Sequence, residues 1–547
     1  MENRGFYQSR DSQNRPVNKS SFQTILMFFV LIIGILIGFV FSKVDPYNLF
    51  SFKKPITTSG QKLDEIINLI DRYYVDTIND KQFSEQSLNE VLSQLDPHSV
   101  FIPAEDLQAV DEDLRGNFEG IGIEFYIIKD TISVVRTLPG GPSEKHGILA
   151  GDRIVKINDT IVAGKKISNE MVMKKLKGKG GTTVKVGISR KGLTGIKNLE
   201  LKREKIPLYS VDVSYLINQS TGYIKISKFS STTYDEFMTA AEGLKKSGAT
   251  NLIIDLRENG GGYLETAVNI LDELLSGKKL LLYTKGAHEK KTDYKCHIDG
   301  LFETGKLAVL IDENSASASE IVAGAIQDWD RGIIIGRRSF GKGLVQKEYE
   351  LSDGSALRLT VSKYYIPSGR CIQKPYNKNM EDYYTEVYDR LSHGEFSSGD
   401  SIHNSDTTVY KTRGGRKVYG GGGITPDIFI PMDTFKNWAY LNDVRKFIPD
   451  YAYTHNDIFG KETFAYNAID KFLNEYKVSD ALYNDFLSYA VKNGLQQKQV
   501  LNIQIQSRVS LYIKAYIARQ KWDSKGFYGV LYTDDPFILR ATNELSK

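Results

Sequence analysis

The sequence LAVLIDENSASASEI at residues 307–321 joins a strand-like apolar run to a serine-rich helix start. Residues 307–311 are uninterrupted apolar residues, as in a strand buried on both faces, and the pattern of residues 319–329 predicts a helix. A serine in the turn between them lies where the helix dipole favours negative charge, and the next backbone N–H can donate to an oxyanion. The small residues before Glu320 also suit an ordinary helix cap, with Ser315 as one candidate, so the segment alone leaves both interpretations open.

The surrounding residues 206–432 alternate strand-like and helix-like patterns and predict an α/β core. The predicted strands are Tyr223–Ile226, Asn251–Leu256, Leu307–Ile311, Ile333–Ile335, Leu344–Glu350 and Ala356–Tyr365. The predicted helices are Thr233–Ser247, Glu265–Leu275 and Ser319–Trp329. The turn Ser352-Asp353-Gly354 predicts a hairpin between the last two strands. Sites in α/β folds form at the carboxyl ends of parallel strands, so the loops at those ends are the ones to inspect.

Two glycine-containing loops lie at strand ends of this predicted core. Residues 259–262 (NGGG) follow one buried strand and offer backbone N–H groups, and Lys342 lies between Gly341 and Gly343. Burial lowers the pKa of a lysine, so a buried lysine can act as the base for a serine near neutral pH. Taken singly, the first loop is also typical of an ordinary turn, and Lys342 of an exposed turn lysine.

Other chemistries lack the residues that they need. Residues 336–342 fit GxxxxGK, but Gly343 and a strand follow where a phosphate-binding loop needs Ser or Thr and a helix. The seven histidines form no HExxH pair, no GxSxG segment occurs, and two cysteines exclude a multi-cysteine metal module. We therefore predict no metal and no cofactor. The net charge of +4 excludes a dedicated nucleic-acid binder.

The amino-terminal part contains 23 consecutive residues without a charge, residues 20–42. Such a segment is long enough to cross a hydrocarbon core of about 30 Å, and the bulky residues at its end disfavour a cleaved signal peptide. We predict a single-pass anchor in the cytoplasmic (inner) membrane, with residues 1–19 as a cytoplasmic tail and the remainder extracytoplasmic or periplasmic. Residues 43–57 are predicted to be a linker, and residues 58–115 a helical region.

Two further regions flank the predicted core. Strand-like runs and glycine turns fill residues 116–205, and residues 118–205 contain 18 Lys and Arg against 9 Asp and Glu, a local charge of +9. Residues 433–547 have a helical pattern rich in Tyr and Phe, and residues 379–416 are polar and look like a long surface loop or insertion. The sequence does not choose between dimerisation and adaptor docking for the helical region, and it gives no distance between Cys296 and Cys371.

An ordered set of motifs makes the chain resemble the carboxyl-terminal processing (tail-specific) serine peptidases. The motifs are LDPHS at 95–99, GIGI at 120–123, DLRENGGG at 255–262, SASASEI at 315–321, FGKGLVQ at 340–346, SDGSA at 352–356, KYYIPSGR at 363–370 and GITPD at 423–427. They span roughly Leu95 to Pro431. The resemblance implies a multi-domain α/β protein with a crotonase-like or ClpP-like catalytic core and a β-rich PDZ domain inserted at residues 116–205.

The resemblance also implies a set of catalytic residues. Ser317 corresponds to the nucleophile, Lys342 to the general base, and Gln346 to the residue that orients the lysine amine. The backbone N–H groups of Ala318 and Gly261 correspond to the oxyanion hole. The chain has Asn-Gly-Gly-Gly where the family usually has Asn-Pro-Gly-Gly, which leaves open which glycine donates.

Two more functional features follow from the same resemblance. Asp328 lies where some members of the family have an acidic residue tied to activity; a helix-end carboxylate on a solvated face is the other interpretation. The loop Gly120, Ile121, Gly122 and Ile123 corresponds to the PDZ loop that captures the C-terminal carboxylate of a peptide, which is then added as a strand. The local positive charge favours such an anionic chain end.

We therefore expect a membrane-anchored serine endopeptidase with a Ser317–Lys342 dyad that trims or degrades proteins from their C-terminal tails outside the cytoplasm. Its expected partners are protein or peptide substrates and the membrane, with an adaptor or a second copy as open choices, and no nucleic acid. The main alternative is a catalytically idle scaffold with a PDZ domain, which the intact Ser, Lys and Gln disfavour. A third interpretation is a peptidase that stays latent until an adaptor or a substrate tail engages the PDZ domain.

Overall fold

The structure of the protein is a computed structural model in two compact units, residues 1–84 and residues 85–547. The described residues are 27–34, 59–376, 380–403, 406–433, 438–455, 459–460, 462–463, 465–496 and 503–547. In the first unit, residues 27–34 are helical and helix α1 spans Ser59–Tyr73. Helix α2, Asp80–Ser93, contains the boundary between the two units.

The predicted membrane anchor over residues 20–42 is contradicted. Among the described residues, none of the helices combines the length and the apolar character needed to cross a membrane. The prediction of a single-pass inner-membrane protein is therefore wrong for the part of the chain that is described. The remainder of residues 20–42, the tail 1–19 and the linker 43–57 lie outside the described residues.

The second unit combines many short strands with helices. The strands are β1 (Val100–Ile102), β2 (Asn117–Gly120), β3 (Ile123–Ile127), β4 (Ile132–Thr137), β5 (Arg153–Ile157), β6 (Thr160–Ile161), β7 (Thr183–Ser189), β8 (Lys197–Lys202), β9 (Glu204–Pro207), β10 (Val211–Leu216), β11 (Thr221–Ile226), β12 (Asn251–Asp255), β13 (Leu280–Lys285), β14 (Thr292–Lys295), β15 (Leu307–Ile311), β16 (Ile333–Gly336), β17 (Leu344–Glu350), β18 (Ala356–Tyr365), β19 (Val409–Lys411), β20 (Lys417–Tyr419) and β21 (Ile428–Phe429). The helices are α3 (Ala104–Arg115), α4 (Pro142–Lys145), α5 (Asn169–Leu176), α6 (Thr233–Lys246), α7 (Leu264–Asp272), α8 (Ala318–Asp328), α9 (Met380–Ser392), α10 (Trp438–Arg445), α11 (Ile448–Thr454), α12 (Ile469–Glu475), α13 (Asp480–Lys492), α14 (Ile503–Leu531) and α15 (Pro536–Ser546).

A β-rich layer occupies the region between α3 and β10. Its main sheet has the strand order β3-β4-β5-β7-β8, with β6 paired to β5, while β2 and β9 form a separate ladder. Ile154, Val184 and Val186 are buried in its core, because alternate residues of a strand face the same side. Strand β3 lies at the edge of the described sheet, so a backbone strand can be added beside it.

The centre of the unit is a six-stranded sheet with the order β10-β11-β12-β15-β16-β21. Its strands run parallel from β11 to β21, and β10 pairs antiparallel at the edge. Strand β15 is buried along its whole length, which explains its uninterrupted apolar sequence. Phe237, Ile270 and Val322, from helices α6, α7 and α8, pack on one face of this sheet. The sheet therefore places the ends of β12, β15 and β16 side by side.

A second sheet lies beside the first and has the order β1-β18-β13-β14, with β17 also paired to β18. The β17–β18 hairpin pairs Glu350 with Ala356 and closes at the predicted turn 352–354. Strands β17 and β18 have the bounds that the sequence predicts, and β17 begins two residues after Lys342. The hairpin therefore anchors the carboxyl end of the lysine loop.

Helix α15, in the carboxyl-terminal region, covers the opposite face of the six-stranded sheet. Phe537, Ile538 and Leu545 of α15 pack against Ile253 of β12 and Leu310 of β15. Helices α10 to α14 have a separate apolar core of their own. The last helix therefore completes the core of the central sheet, although it lies at the end of the predicted helical region.

The prediction of a long surface loop at residues 379–416 is partly wrong. Helix α9 lies in it, and Arg390 of this helix is buried. The Arg390 guanidinium donates to the Arg338 carbonyl oxygen at 2.6 Å, and the Glu395 carboxylate accepts from both Arg390 and Arg338. These buried ion pairs fasten α9 to the loop after β16, which polar composition alone does not reveal. The two cysteines whose pairing the sequence left open are free thiols.

The packing of α15 predicts unequal effects of two neighbouring substitutions. Ile538 is 2% exposed against the central sheet, whereas Leu539 is 53% exposed. We expect Ile538→Ala to lower the free energy of unfolding by about 2–4 kcal/mol, because it removes buried methyl groups and leaves a cavity. Leu539→Ala is the matched control and should cost about 0.5 kcal/mol or less. Urea denaturation measures both, and equal losses would contradict the described packing of α15.

Candidate active site

Three loops meet at one end of the central sheet. They follow the adjacent parallel strands β12, β15 and β16 and contain, in that order, residues 259–262, Ser317 and Lys342. Ser317, Ala318, Lys342, Gln346 and glycines 260–262 all line a single cavity of about 940 Å³. The structure thus brings the sequence-predicted serine, lysine, glutamine and glycine turn to one site, at the sheet edge where α/β folds bind ligands.

Ser317 immediately precedes helix α8 in a strained backbone conformation. Its φ of 55° and ψ of −113° lie outside the regions that non-glycine residues favour. Gly261, with a φ of +100°, packs directly against this turn: a Cβ atom there would lie 2.8 Å from the Ser317 Cβ. Only glycine fits at that position. Ser315 does not cap the helix, since its hydroxyl donates to the Leu256 carbonyl oxygen at 2.8 Å.

The Glu320 carboxylate connects the serine turn with the lysine loop. One oxygen, Oε2, accepts the backbone N–H groups of Ser317 and Lys342, each at 2.8 Å. The other, Oε1, accepts the Gly341 N–H at 2.7 Å and the Ser339 hydroxyl at 2.5 Å. Burial raises the pKa of Glu320 to about 7, and the four donors oppose that rise by favouring the charged form. Two segments distant in sequence are thereby held by one side chain.

The Lys342 side chain is half-buried, and its pKa is lower than that of an exposed lysine. Burial lowers its pKa to about 8, and the positive charge of Arg358 lowers it further, while Glu320 and Asp96 act in the opposite direction. An appreciable fraction of neutral amine is therefore present near pH 7 to 8, as the sequence reasoning on a buried lysine requires.

The LDPHS motif brings a histidine into the same cavity. The His98 Nε2 atom lies 3.0 Å from the Tyr383 hydroxyl. Burial lowers the pKa of His98 to about 4, and the nearby Lys342 charge adds to this, so the imidazole is neutral at pH 7. The Asp96 carboxylate accepts the Thr360 hydroxyl at 2.9 Å and so fixes the motif to β18.

The N–H groups predicted to form the oxyanion hole differ in their hydrogen bonding. Ala318 is the first residue of α8, where backbone N–H groups point out of the helix towards the cavity. The Gly261 N–H, in contrast, already donates to the Asn259 side-chain oxygen at 2.9 Å. This bond weighs against Gly261 as a donor and favours a neighbouring glycine of the 260–262 turn.

Gln346 and Asp328 lie in different surroundings. Gln346 lines the cavity and its side-chain Nε2 donates to the Thr360 hydroxyl at 3.2 Å. Asp328 is at the far end of α8, is not among the cavity-lining residues, and pairs with Arg370 at 2.8 Å. It is 3% exposed and also accepts the Ser368 N–H, so the interpretation as a solvated helix-end carboxylate is wrong. The Arg370 partner, in the KYYIPSGR motif, explains the burial.

The predicted carboxylate-binding loop joins β2 to the edge strand β3. Gly120 ends β2, Ile123 begins β3, and Gly122 has a φ of +72° that favours glycine. The Ile121 carbonyl oxygen accepts the Ser143 N–H at 3.0 Å and the Ser143 hydroxyl at 2.7 Å, which fixes the loop against α4. The loop therefore lies at the end of an edge strand, the arrangement that strand addition requires.

Sequence reasoning missed three residues of the site. The sequence indicates Glu320 only as part of a helix cap or of a family motif, and His98 and Tyr364 only as members of family motifs. Each acts through tertiary contacts: Glu320 by burial against the lysine loop, His98 by its place in the cavity, and Tyr364 by a hydroxyl directed at both loops. Each of the three residues lies within one of the family motifs, and this is the signal that could have singled it out.

Comparison with known proteins finds matches to a peptidase family and to the PDZ domain. The profile of Peptidase family S41 matches residues 220–381, that of the PDZ domain matches residues 120–201, and a family of unknown function matches residues 436–523. A carboxy-terminal-processing protease of Bartonella bacilliformis is 34% identical over 60% of this chain and 77% of its own length. The carboxy-terminal processing protease CtpA of Bacillus subtilis is 31% identical over 64% of this chain and 75% of its own. Among solved structures, the photosystem II D1 C-terminal processing protease shares 26% identity, covers 69% of this chain and 94% of its own, and has a TM-score of 0.34.

These sequence relationships define a serine peptidase with a PDZ domain. The chain belongs to peptidase family S41 and is a carboxy-terminal processing protease of that family. The family resemblance predicted from the motifs is therefore confirmed, and so is the mixed α/β fold with a PDZ domain. The assignment rests on the sequence relatives and not on the overall likeness to the solved structure.

The burial of the Lys342 charge is expected to lower the free energy of unfolding of the protein. At pH 7, below the folded pKa of about 8, the lysine is charged in both states, and only the folded state bears the cost of burying that charge. Replacing it in Lys342→Met should raise the free energy of unfolding at pH 7 by an amount on the order of 3 kcal/mol. As the pH rises from 8 towards the ordinary lysine value of 10.5, both states lose the charge and the gain should disappear.

Denaturant unfolding at pH 7 and at pH 10 measures this difference. The exposed Lys363 on β18 provides the matched control, and Lys363→Met should change stability by about 0.5 kcal/mol or less at either pH. If Lys342→Met is no more stable than the original protein at pH 7, the charge of Lys342 is not buried as described.

Proposed function

We propose that the chain is a serine endopeptidase that uses a Ser317–Lys342 dyad and cleaves proteins at or near their C-terminal tails. The observation that carries the proposal is that Ser317 and Lys342 line one cavity and are bound to the same atom. Their backbone N–H groups both donate to Glu320 Oε2. The lowered pKa of Lys342 supports its assignment as the base. The strained turn of Ser317 at a helix start is also typical of a nucleophile.

In the proposed reaction the Ser317 hydroxyl oxygen attacks the substrate carbonyl carbon while the neutral Lys342 amine takes the hydroxyl proton. The negative oxygen of the tetrahedral intermediate accepts hydrogen bonds from the Ala318 N–H and from an N–H of the 260–262 turn. The ammonium then protonates the leaving amine, and the C–N bond breaks to leave an acyl ester on the serine. The C-terminal fragment leaves as this amine. Lys342 next removes a proton from water, which attacks the ester, and the ammonium returns that proton to the Ser317 oxygen as the ester C–O bond breaks and the N-terminal fragment leaves with a new C-terminal carboxylate.

The remaining predicted residues are assigned supporting roles. Gln346, whose amide nitrogen donates to the Thr360 hydroxyl, is assigned the role of orienting the Lys342 amine. Asp328 acts at a distance, since its pair with Arg370 fixes the far end of α8. The crotonase-like or ClpP-like character of the core belongs to the same proposal and is supported by the parallel sheet whose strand ends carry the site.

The PDZ domain is proposed to bind the substrate C-terminus. The loop from Gly120 to Ile123 receives the carboxylate, and the peptide pairs with the open edge of β3. Residues 118–205 contain 18 basic and 9 acidic residues, and the resulting positive charge attracts the anionic chain end. Dimerisation or adaptor docking through residues 433–547, and latency until a tail binds, stay predictions. No observation favours the idle scaffold.

Removal of either dyad residue should abolish proteolysis. We expect Ser317→Ala and Lys342→Ala each to lower kcat/KM for an unstructured protein substrate by about 1,000-fold or more, because nucleophile and base act as a unit. Lys363→Ala, an exposed lysine on the neighbouring strand, should keep the original activity. Cleavage is followed by mass spectrometry of the products. Undiminished activity in either dyad variant would end the proposal.

The dyad also predicts the pH dependence of the reaction. Because the base must be neutral, kcat/KM should rise about tenfold per pH unit below the folded pKa of Lys342, about 8, and level off above it. Steady-state assays between pH 6 and 10 with a fluorogenic peptide measure the profile. A rate independent of pH through this range would show that Lys342 is not the base.

A further inference from the structure

The hydroxyl of Tyr364 contacts both catalytic loops. Tyr364 lies near the end of β18 and is 1% exposed. Its hydroxyl donates to the Lys342 carbonyl oxygen at 2.5 Å, and the Ser317 carbonyl oxygen lies 3.1 Å from the same atom. One buried oxygen atom thus connects the main chains of the two residues assigned to the dyad.

This contact complements the one made by Glu320. The Glu320 Oε2 atom accepts the N–H groups of Ser317 and Lys342, and the Tyr364 hydroxyl faces their C=O groups. Each of the two peptide segments is therefore held at both its donor and its acceptor. A buried carbonyl oxygen that loses its donor is costly, so this hydroxyl restricts where the two main chains can move.

The local backbone explains why such a restraint is needed. Lys342 lies between Gly341, which has a φ of +92°, and Gly343, and glycine restricts the backbone least of all residues. Ser317 is itself held at a positive φ. Burial keeps the Tyr364 phenol protonated, with a pKa raised well above its ordinary value, so the hydroxyl remains a donor throughout the working pH range.

We propose that Tyr364 is a positioning residue of the peptidase, whose hydroxyl sets the distance and orientation of Lys342 relative to Ser317. The inference rests on the proposed dyad and adds a residue that holds the two dyad residues in place. Tyr364 does not take or give a proton in the reaction. It acts by fixing the two loops, and a misplacement of reacting groups by about 1 Å can cost about 100-fold in rate.

The test compares Tyr364→Phe with Tyr365→Phe. The first removes only the buried hydroxyl and keeps the ring. The second removes a hydroxyl from the adjacent residue, whose ring stacks on Tyr283 at 4.8 Å and which does not line the cavity. Both variants, with Ser317→Ala and Lys342→Ala, are assayed as full-length protein on a fluorogenic unstructured peptide. The readouts are kcat, KM, the pH profile and the melting temperature.

We expect kcat of Tyr364→Phe to fall about 10- to 100-fold with KM changed by about twofold or less, because the loss affects the positions of the reacting groups. The pH profile provides a second readout. Arg358, Glu320, Asp96 and His98 surround Lys342 and stay in place, but a looser loop admits water to the amine. The inflection should therefore move upward from about 8 towards the ordinary lysine value of 10.5. Tyr365→Phe should match the original protein.

The outcomes separate the inference from the proposed function. If the dyad variants are inactive and Tyr364→Phe keeps kcat within about twofold and an unshifted inflection, Tyr364 is not a positioning residue while the dyad stands. A Tyr364→Phe protein that loses thermal stability and keeps the same kcat and pH profile assigns it a structural role alone, which also overturns the inference. Activity in Ser317→Ala or Lys342→Ala removes the dyad itself and the inference with it.

Discussion

The site depends on one buried carboxylate, that of Glu320. Placing a carboxylate away from water is costly unless hydrogen-bond donors replace the solvent, and here three backbone N–H groups and one hydroxyl do so. The donors come from the start of α8 and from the loop after β16, which are separated by about 20 residues of chain. Because the carboxylate is satisfied only when both segments are in place, its burial couples the position of Ser317 to that of Lys342.

The same arrangement lowers the stability of the folded protein. Lys342 is held where burial and the charge of Arg358 disfavour its ammonium form, and Ser317 has a backbone conformation that other residues avoid. The central sheet compensates for both, since β12, β15 and β16 are packed on one face by α6 to α8 and on the other by α15. A rigid scaffold with a strained, desolvated site is the usual balance between stability and activity in enzymes.

Much of this framework could be predicted from the sequence. The apolar run at 307–311 and the hairpin of β17 and β18 have the bounds that the sequence predicts, since continuous apolar runs and an Asp-Gly turn are strong local signals. Ser317 and Lys342 share a cavity because the loops that carry them follow adjacent parallel strands. Other features depend on contacts that the sequence does not show. The Gly261 N–H donates to the Asn259 side-chain oxygen, and buried ion pairs fasten helix α9 of the polar segment to the loop after β16. The uncharged segment 20–42 predicted a membrane anchor from composition alone, and the described helices contain no such span.

The most direct measurement is the rate of proteolysis by a Glu320→Gln variant. The amide keeps the shape of the side chain but presents an NH₂ group to two of the four donors, so the turn and the loop can no longer both be held. The account predicts a folded protein whose kcat/KM for an unstructured peptide is lower by about 100-fold or more. A folded Glu320→Gln protein that cleaves at the original rate would contradict it, because the dyad would then be aligned without the carboxylate.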